Sequence, residues 1–446
     1  MDTVSIARYR RDDADDAADG NDAVGPGTAT GSASDGAAAD DAWIAIIEPN
    51  FTGHRWRYVE WVSQACVEAG HRCLVVTDTA YAEHPLVQRI EREARPDRRV
   101  MLLDLHTVPR GLPYACSVYM RFRDFYSRAL AEISRSTRVR LVVVPYADYF
   151  FYTLAALDTP FGETPWIAIV MGMTFHHAQA GLRTPRRPFV DLVKSMLFRR
   201  GVRARGLRTL LTIDPTLPEW FARTRSATSA SSVSSVAGST RLAYVADPFP
   251  EIDAVDPQIA RARLGLNAQT RYLLVYGAIG ERKGIRELME ALAQMHGAPC
   301  LVIAGQQDEE TRAFINAHAP QLMPAPVILD RFVPDEMERD LFSACDAVWL
   351  GYRRHYGMSG VLVQAYRFGK PVLASADGLI GWFCRDGALG PLLDDLEPAT
   401  IARAIGTLAQ SWRERAPGAG IARADAHLLA RNTLDQFKQT LQNAMV

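Results

Sequence analysis

Two stretches of this 446-residue sequence have residue types and spacing that could do chemistry. In "YGAIGERKGIRELMEAL", residues 276–292, an apolar strand ends at Gly277, and after Gly280 the pair Lys283-Gly284 opens an amphipathic helix. A lysine beside the free N–H groups of a helix start is placed to bind phosphate. Solvated loop charges at Arg282 and Lys283 are the plainer reading of "RKG" alone. The loop is neither GxGxxG nor GxxxxGK[ST], so nothing supports a nicotinamide or P-loop site.

The second stretch is "HYGMSGVLVQAYRFGKPVLAS", residues 355–375, which follows the apolar strand "AVWLGY". Gly357, Ser359 and Gly360 are small enough for a ligand to approach the backbone, and the helix start offers N–H donors to a diphosphate. Gln364 sits one turn inside that helix, where its amide suits the vicinal hydroxyls of a ribose. Glycines serving packing alone are the competing account. In the first half, Gly53 and His54 lie in a loop between a strand and a helix, and His176-His177 end the strand-like run "WIAIVMGMTFHHA".

These residues need a scaffold, and the hydrophobic pattern supplies one. From residue 42, short apolar runs such as "WIAIIEP", "CLVVT", "RLVVVPY" and "WIAIVMG" alternate with helical stretches. That alternation argues for a parallel sheet covered on both faces, and a second series from "YLLVYGA" to "PVLAS" repeats it. The fold class expected is α/β, with two Rossmann-like doubly wound domains facing across a cleft. Boundaries are expected at 1–41 (a disordered acidic tail), 42–224, a Ser/Ala-rich linker or loop at 225–240, 241–425, and a C-terminal helix at 426–446 that crosses back to the first domain.

Composition narrows the function classes. The net charge of −1 hides ten Asp against three Arg in residues 1–41, so the remainder is mildly basic. That suits anionic small substrates and is too weak to argue nucleic-acid binding. Six cysteines without CxxC spacing suggest neither a zinc site nor a disulfide framework, and a reduced cytoplasmic setting is expected. No apolar run is long enough to span a bilayer. Residues 183–208 carry nine Arg/Lys and one Asp, with Phe189, Leu192, Val193, Met196 and Leu197 on one helical face. The expectation is that this face packs on the sheet; peripheral contact with an anionic membrane is the alternative.

Taken in order, three elements resemble the retaining GT-B glycosyltransferases of glycosyltransferase family 4 over roughly residues 42–430. They are "GAIGERKG", "VILDRFVPDEMERDLFSACDAVWL" and "GMSGVLVQAYRFGKPVLAS". The family's two motif glutamates, eight residues apart, correspond here to Tyr356 and Gln364, so both acids are replaced. The resemblance implies transfer of a hexose-type sugar from a UDP- or GDP-sugar to a glycan, lipid-linked or small-molecule acceptor, with no obligatory metal or other cofactor. It implies Lys283 as a catalytic residue, with His176 or His177 on the acceptor side beside the Gly53–His54 loop. Donor binding would fall to Gly277, Gly280, Arg282, Arg331, Tyr356, Gly357, Ser359, Gly360 and Gln364. A GT-B scaffold that binds nucleotide sugar or partners an active transferase is the alternative favoured by the lost acids.

Overall fold

Apolar runs of four to six residues leave their backbone groups unpaired unless they lie side by side, and helices must then cover both faces of the sheet. The computed structural model of the chain describes residues 42–52, 55–106, 114–228, 240–249, 251–385, 389–421 and 427–446. The expected disorder at 1–41, the tract at 229–239, and Gly53 and His54 lie outside these described residues.

The first sheet comprises β1 (Trp43–Ile47), β2 (Cys73–Asp78), β3 (Arg98–Leu103), β4 (Val139–Val144), β5 (Trp166–Val170), β6 (Leu207–Thr212) and β7 (Arg241–Tyr244). Its order is β3-β2-β1-β4-β5-β6-β7 with parallel pairings, and α1 (Arg55–Glu68), α2 (Pro85–Glu93), α3 (Tyr114–Ile133), α4 (Pro188–Gly201) and α5 (Thr216–Thr228) connect it. The second comprises β8 (Tyr272–Tyr276), β9 (Cys300–Ala304), β10 (Val327–Leu329), β11 (Ala347–Leu350), β12 (Val372–Ser375) and β13 (Leu392–Leu393). Its order is β10-β9-β8-β11-β12-β13, again parallel. Its helices are α6 (Pro257–Leu264), α7 (Ile285–Ala293), α8 (Glu309–His318), α9 (Asp335–Ala344), α10 (Gly360–Arg367), α11 (Gly378–Phe383) and α12 (Pro398–Arg413), followed by α13 (Leu434–Met445).

Two doubly wound parallel sheets are therefore present, each with buried clusters on both faces. In each, the order reverses beside its first strand, between β1 and β4 and between β8 and β11. Such switch points open a crevice at the carboxyl ends of the strands, where ligands bind.

Two boundaries and the seating of one helix differ from expectation. Residues 225–228 continue α5 as helix, where a linker was expected. Arg241–Tyr244 pairs with β6 as the last strand of the first sheet, so the second unit does not begin at 241. The third concerns α4, whose buried residues are Ser195, Phe198 and Gly201, while Phe189, Leu192 and Met196 are 77%, 57% and 61% exposed. The apolar stripe read from the sequence points away from the sheet, because the helix seats on its opposite side through Phe198 against Phe151.

The units touch through named contacts. Leu182, in the loop after β5, is buried in the core of the second unit. The Arg183 carbonyl accepts from Gly378 N at 2.9 Å, and its guanidinium pairs with Asp377 and Asp394 at 3.1 and 2.9 Å. Met358 packs against buried clusters of both units. Finally α13 returns to α1, burying Phe437, Leu441 and Met445 with Tyr58, Trp61 and Cys66.

Candidate functional site

The densest group of sequence-selected residues surrounds the β8/β11 switch point. Lys283 closes a 3₁₀ turn, Glu281–Lys283, between β8 and α7. Its ammonium donates to the Tyr276 carbonyl at 2.8 Å and to the Tyr352 hydroxyl at 2.7 Å. An ammonium has three donors, so one N–H remains for a ligand. The turn that aims the side chain depends on backbone approach: Gly284 has φ +62°, and a Cβ there would stand 2.2 Å from the Gly351 carbonyl. Gly277, at φ +99°, is bordered by the Lys283 ammonium, and a Cβ on Gly305 would strike the Gly277 carbonyl. Only glycine meets those conditions without displacement.

Arg282 turns to the other side, with Nη1 3.1 Å from His355 Nδ1, while His355 Nε2 lies 3.1 Å from the Met358 carbonyl. Burial, reinforced by the Arg282 charge, pushes the His355 imidazole down to about 4. A neutral ring with Nε2–H donating to Met358 leaves Nδ1 to accept from Arg282, which fixes the guanidinium beside the start of α10. Ser359 is the N-cap residue there, and Gly360 is packed so closely on Phe249 that a Cβ would lie 2.2 Å from its ring. Tyr356 and Gly357 occupy the loop before it, half-buried, and the Tyr356 backbone packs directly on Gly378.

Gln364, 4% exposed, points its amide to a carboxylate that the sequence reading did not select. Its Nε2 donates to Glu338 Oε1 at 3.0 Å, and the Tyr276 hydroxyl donates to Glu338 Oε2 at 2.7 Å. The Gln364 Oε1 atom is buried without a hydrogen-bond partner among the described residues. Burial raises the Glu338 carboxyl, and the hydrogen bond from Tyr276 and the charge of Arg57, on α1 of the first unit, oppose that rise. A carboxylate thus stands beside Gln364 after all, supplied by α9. Its only sequence signal was an acid on the inner face of an amphipathic helix.

Arg331 is exposed and lines a cavity of about 180 Å³ with Tyr276, Gly277, Gly305, Phe332 and Val333. Gly280, half-buried, leaves room for the Asp308 carboxylate, which a Cβ would meet at 2.5 Å.

His176 and His177 do not join this group. They are 0% and 1% exposed, and both Nε2 atoms approach Asp214 Oδ2, at 3.1 and 2.8 Å. Asp214 Oδ1 accepts from Thr216 N and Oγ1 at the start of α5. Burial opposes the Asp214 charge, but the two histidine hydrogen bonds hold its carboxyl well below the ordinary value. The two imidazoles tie the loop after β5 to the amino end of α5. The three side chains bring possible metal-ligand atoms within 4.8 Å. Among the described residues these contacts are hydrogen bonds, the closer one 2.8 Å from His177 Nε2 to Asp214 Oδ2.

The crevice of the first sheet holds other groups. Glu48 follows β1 directly, its Oε1 accepting from Asn50 N at 3.0 Å, and Arg55 stacks over Tyr146 and Tyr149 at 4.7 Å each. Asp148 accepts from Met171 N and Gly172 N, both at 2.8 Å.

Known proteins resemble this chain in part of its sequence and over most of its fold. Lipopolysaccharide core biosynthesis glycosyltransferase LpsE of Rhizobium meliloti (strain 1021) is 27% identical over 147 residues, 33% of this chain and 42% of that protein. D-inositol 3-phosphate glycosyltransferase of Mycobacterium marinum is 30% identical over 200 residues, 43% of this chain and 42% of that protein. The chain thus spans under half the length of these curated relatives. Among solved structures, sucrose-phosphate synthase from Thermosynechococcus elongatus superimposes with a TM-score of 0.58 at 16% identity, covering 91% of this chain and 95% of that one. Anabaena HepE in complex with UDP and glucose has the same TM-score and identity, covering 91% and 99%. Residues 270–411 match the family described as "Glycosyl transferases group 1", and they lie within the second unit of a chain with the two-domain GT-B fold.

Proposed function

We propose that this protein transfers a hexose-type sugar from a nucleotide-diphosphate sugar to an acceptor hydroxyl, with the donor held at the β8/β11 crevice. The observation that carries the reading is the Lys283 ammonium, held by Tyr276 and Tyr352 with one donor free, beside the start of α10. Breaking the bond between the sugar's anomeric carbon and the phosphate oxygen leaves charge on the diphosphate. Fixed cations and helix N–H groups in a confined cleft stabilise such charge without reorganising. Lys283, Arg282 and the amides of Gly360 and Val361 take that role. The acceptor oxygen forms the new bond to the anomeric carbon, and its proton passes to the departing phosphate oxygen.

The nucleotide lies toward the Arg331 cavity, and its ribose toward Gln364 and Glu338. UDP- and GDP-sugars are the donors to try first, since HepE was crystallised with UDP and glucose. The name of LpsE makes a glycan acceptor the first choice. Retention of anomeric configuration is proposed on the family resemblance.

Replacing Lys283 with Met preserves packing and removes the charge. Turnover with the best sugar nucleotide of a UDP, GDP and ADP panel is expected to fall by about 10²-fold or more. An unchanged rate would sink the assignment. A binding scaffold is the second reading, favoured by Tyr356 and Gln364 in place of acids; calorimetric heat with a sugar nucleotide but no hydrolysis or transfer on any acceptor selects it.

A further inference from the structure

The outward face of α4 is unlike the rest of the described surface. Phe189, Val190, Leu192, Val193 and Met196 are all large, apolar and exposed, and they follow one another along a single helix. Phe189, Leu192, Val193 and Met196 occupy the side away from Ser195, Phe198 and Gly201, which seat the helix on its own domain, and Val190 lies at the edge. Scattered exposed apolar side chains are ordinary, whereas a contiguous stripe marks a surface that something apolar covers.

The charges around the stripe say what covers it. Arg186 and Arg187 precede the helix, Lys194 lies on its flank, and Arg200 and Arg203 stand at its far end, all exposed. The single acid of the helix, Asp191, is turned back, its carboxylate accepting from the Arg187 backbone N–H. A protein partner with a matching apolar groove would not require cations at both ends of the stripe. A bilayer bearing anionic headgroups does, because apolar side chains enter the acyl boundary while lysines and arginines remain among the phosphates.

We propose that α4 is a membrane-surface helix that docks this protein on an anionic phospholipid bilayer. Its apolar stripe inserts to the depth of the upper acyl chains, with the helix axis in the plane of the surface. Among the described residues no helix is long and apolar enough to cross a membrane, so contact of this kind is interfacial. The proposal stands on α4 alone and is independent of the donor site.

The test is sedimentation of the full chain with vesicles of phosphatidylcholine, or of an equal mixture of phosphatidylcholine and phosphatidylglycerol. Co-sedimentation with the mixture only is expected, weakening at about 0.5 M salt as the headgroup charge is screened. The double substitution F189S/M196S alters exposed side chains and is expected to leave the melting temperature unchanged while lowering partitioning by about tenfold or more. Phe189→Trp is expected to emit at shorter wavelength with the anionic vesicles and not with the neutral ones. No sedimentation with either vesicle, or equal partitioning of F189S/M196S and the unmodified chain, overturns the proposal. A dimer dispersed by F189S/M196S with vesicles unbound gives the face to a second copy and overturns it as well.

Discussion

An amide and a carboxylate share one hydrogen bond beside the β8/β11 crevice, where the donor is proposed to bind, and the charge of one depends on the other. Glu338 accepts from Gln364 at 3.0 Å and from Tyr276 at 2.7 Å. Gln364→Glu would set two carboxylates at hydrogen-bond distance, and like charges that close cannot both ionise. Affinity for UDP, measured by calorimetry, is expected to fall about tenfold on that substitution. The exchange Gln364→Glu with Glu338→Gln restores one amide and one acid and is expected to recover most of the loss; failure to recover would show that the pair does not act as a unit. That Lys283 and the glycines near it come together was legible in the sequence, because strand, loop and helix start follow one another within a dozen residues. Glu338 was not, because it lies 26 residues before Gln364 and only the packing of α9 beside α10 brings them together. The bond from the histidine pair to Asp214 was not legible for a related reason, since the partner lies 37 residues along the chain.

Secondary-structure elements carry buried charges whose energetics can be tested directly. Burial at the end of β1 pushes the Glu48 carboxyl up to about 8 from an ordinary 4.5, against the hydrogen bond from Asn50 and the charge of Arg55. Between those values the folded chain keeps a proton that the unfolded chain releases, so this group lowers stability as pH rises through the window. Glu48→Gln is expected to remove that slope and to stabilise the protein by roughly 2–4 kcal/mol at the alkaline end, read from urea unfolding across pH. An unaltered slope would place the proton elsewhere. In the second unit, Arg261 of α6 pairs with Asp346 at 2.8 Å, both 1% exposed, and also donates to the Ala344, Ala268 and Thr270 carbonyls. Arg261→Ala removes one of the two guanidinium partners of Asp346, which keeps Arg271 at 2.8 Å, and leaves three carbonyls without their donor, so a loss of about 2–4 kcal/mol in unfolding free energy is expected. The elements themselves were largely readable: the alternation of apolar runs with helical stretches became two parallel sheets, and the start of α8 is set by the Asp308 cap. Strand β7 was not, since "RLAY" after a long polar tract reads equally well as the opening of the next domain; its pairing with β6 settles the matter.

At the scale of the whole molecule, the chain crosses between the units twice, and the crossings are tied together. Asn432 Nδ2 donates to the Asp247 carbonyl at 2.9 Å, joining the segment before α13 to the segment after β7. Arg367, in the last turn of α10, donates to the Phe249 carbonyl at 3.1 Å and to the Asn432 carbonyl at 2.9 Å. No local pattern in the sequence marks this knot, because its three strands of chain come from positions far apart. Its place matters because α10 begins at the proposed donor crevice and ends at the crossing, so one helix connects the two. A segment whose backbone groups are held by side chains opens less often than one held by water. Arg367→Ala is therefore expected to speed amide hydrogen exchange at both crossings, residues 245–249 and 432–434, while β8 and β9 exchange as before. Faster exchange throughout the second unit would mean that Arg367 supports that domain's core instead. Unchanged exchange at the crossings would mean that the two are joined by Asn432 alone.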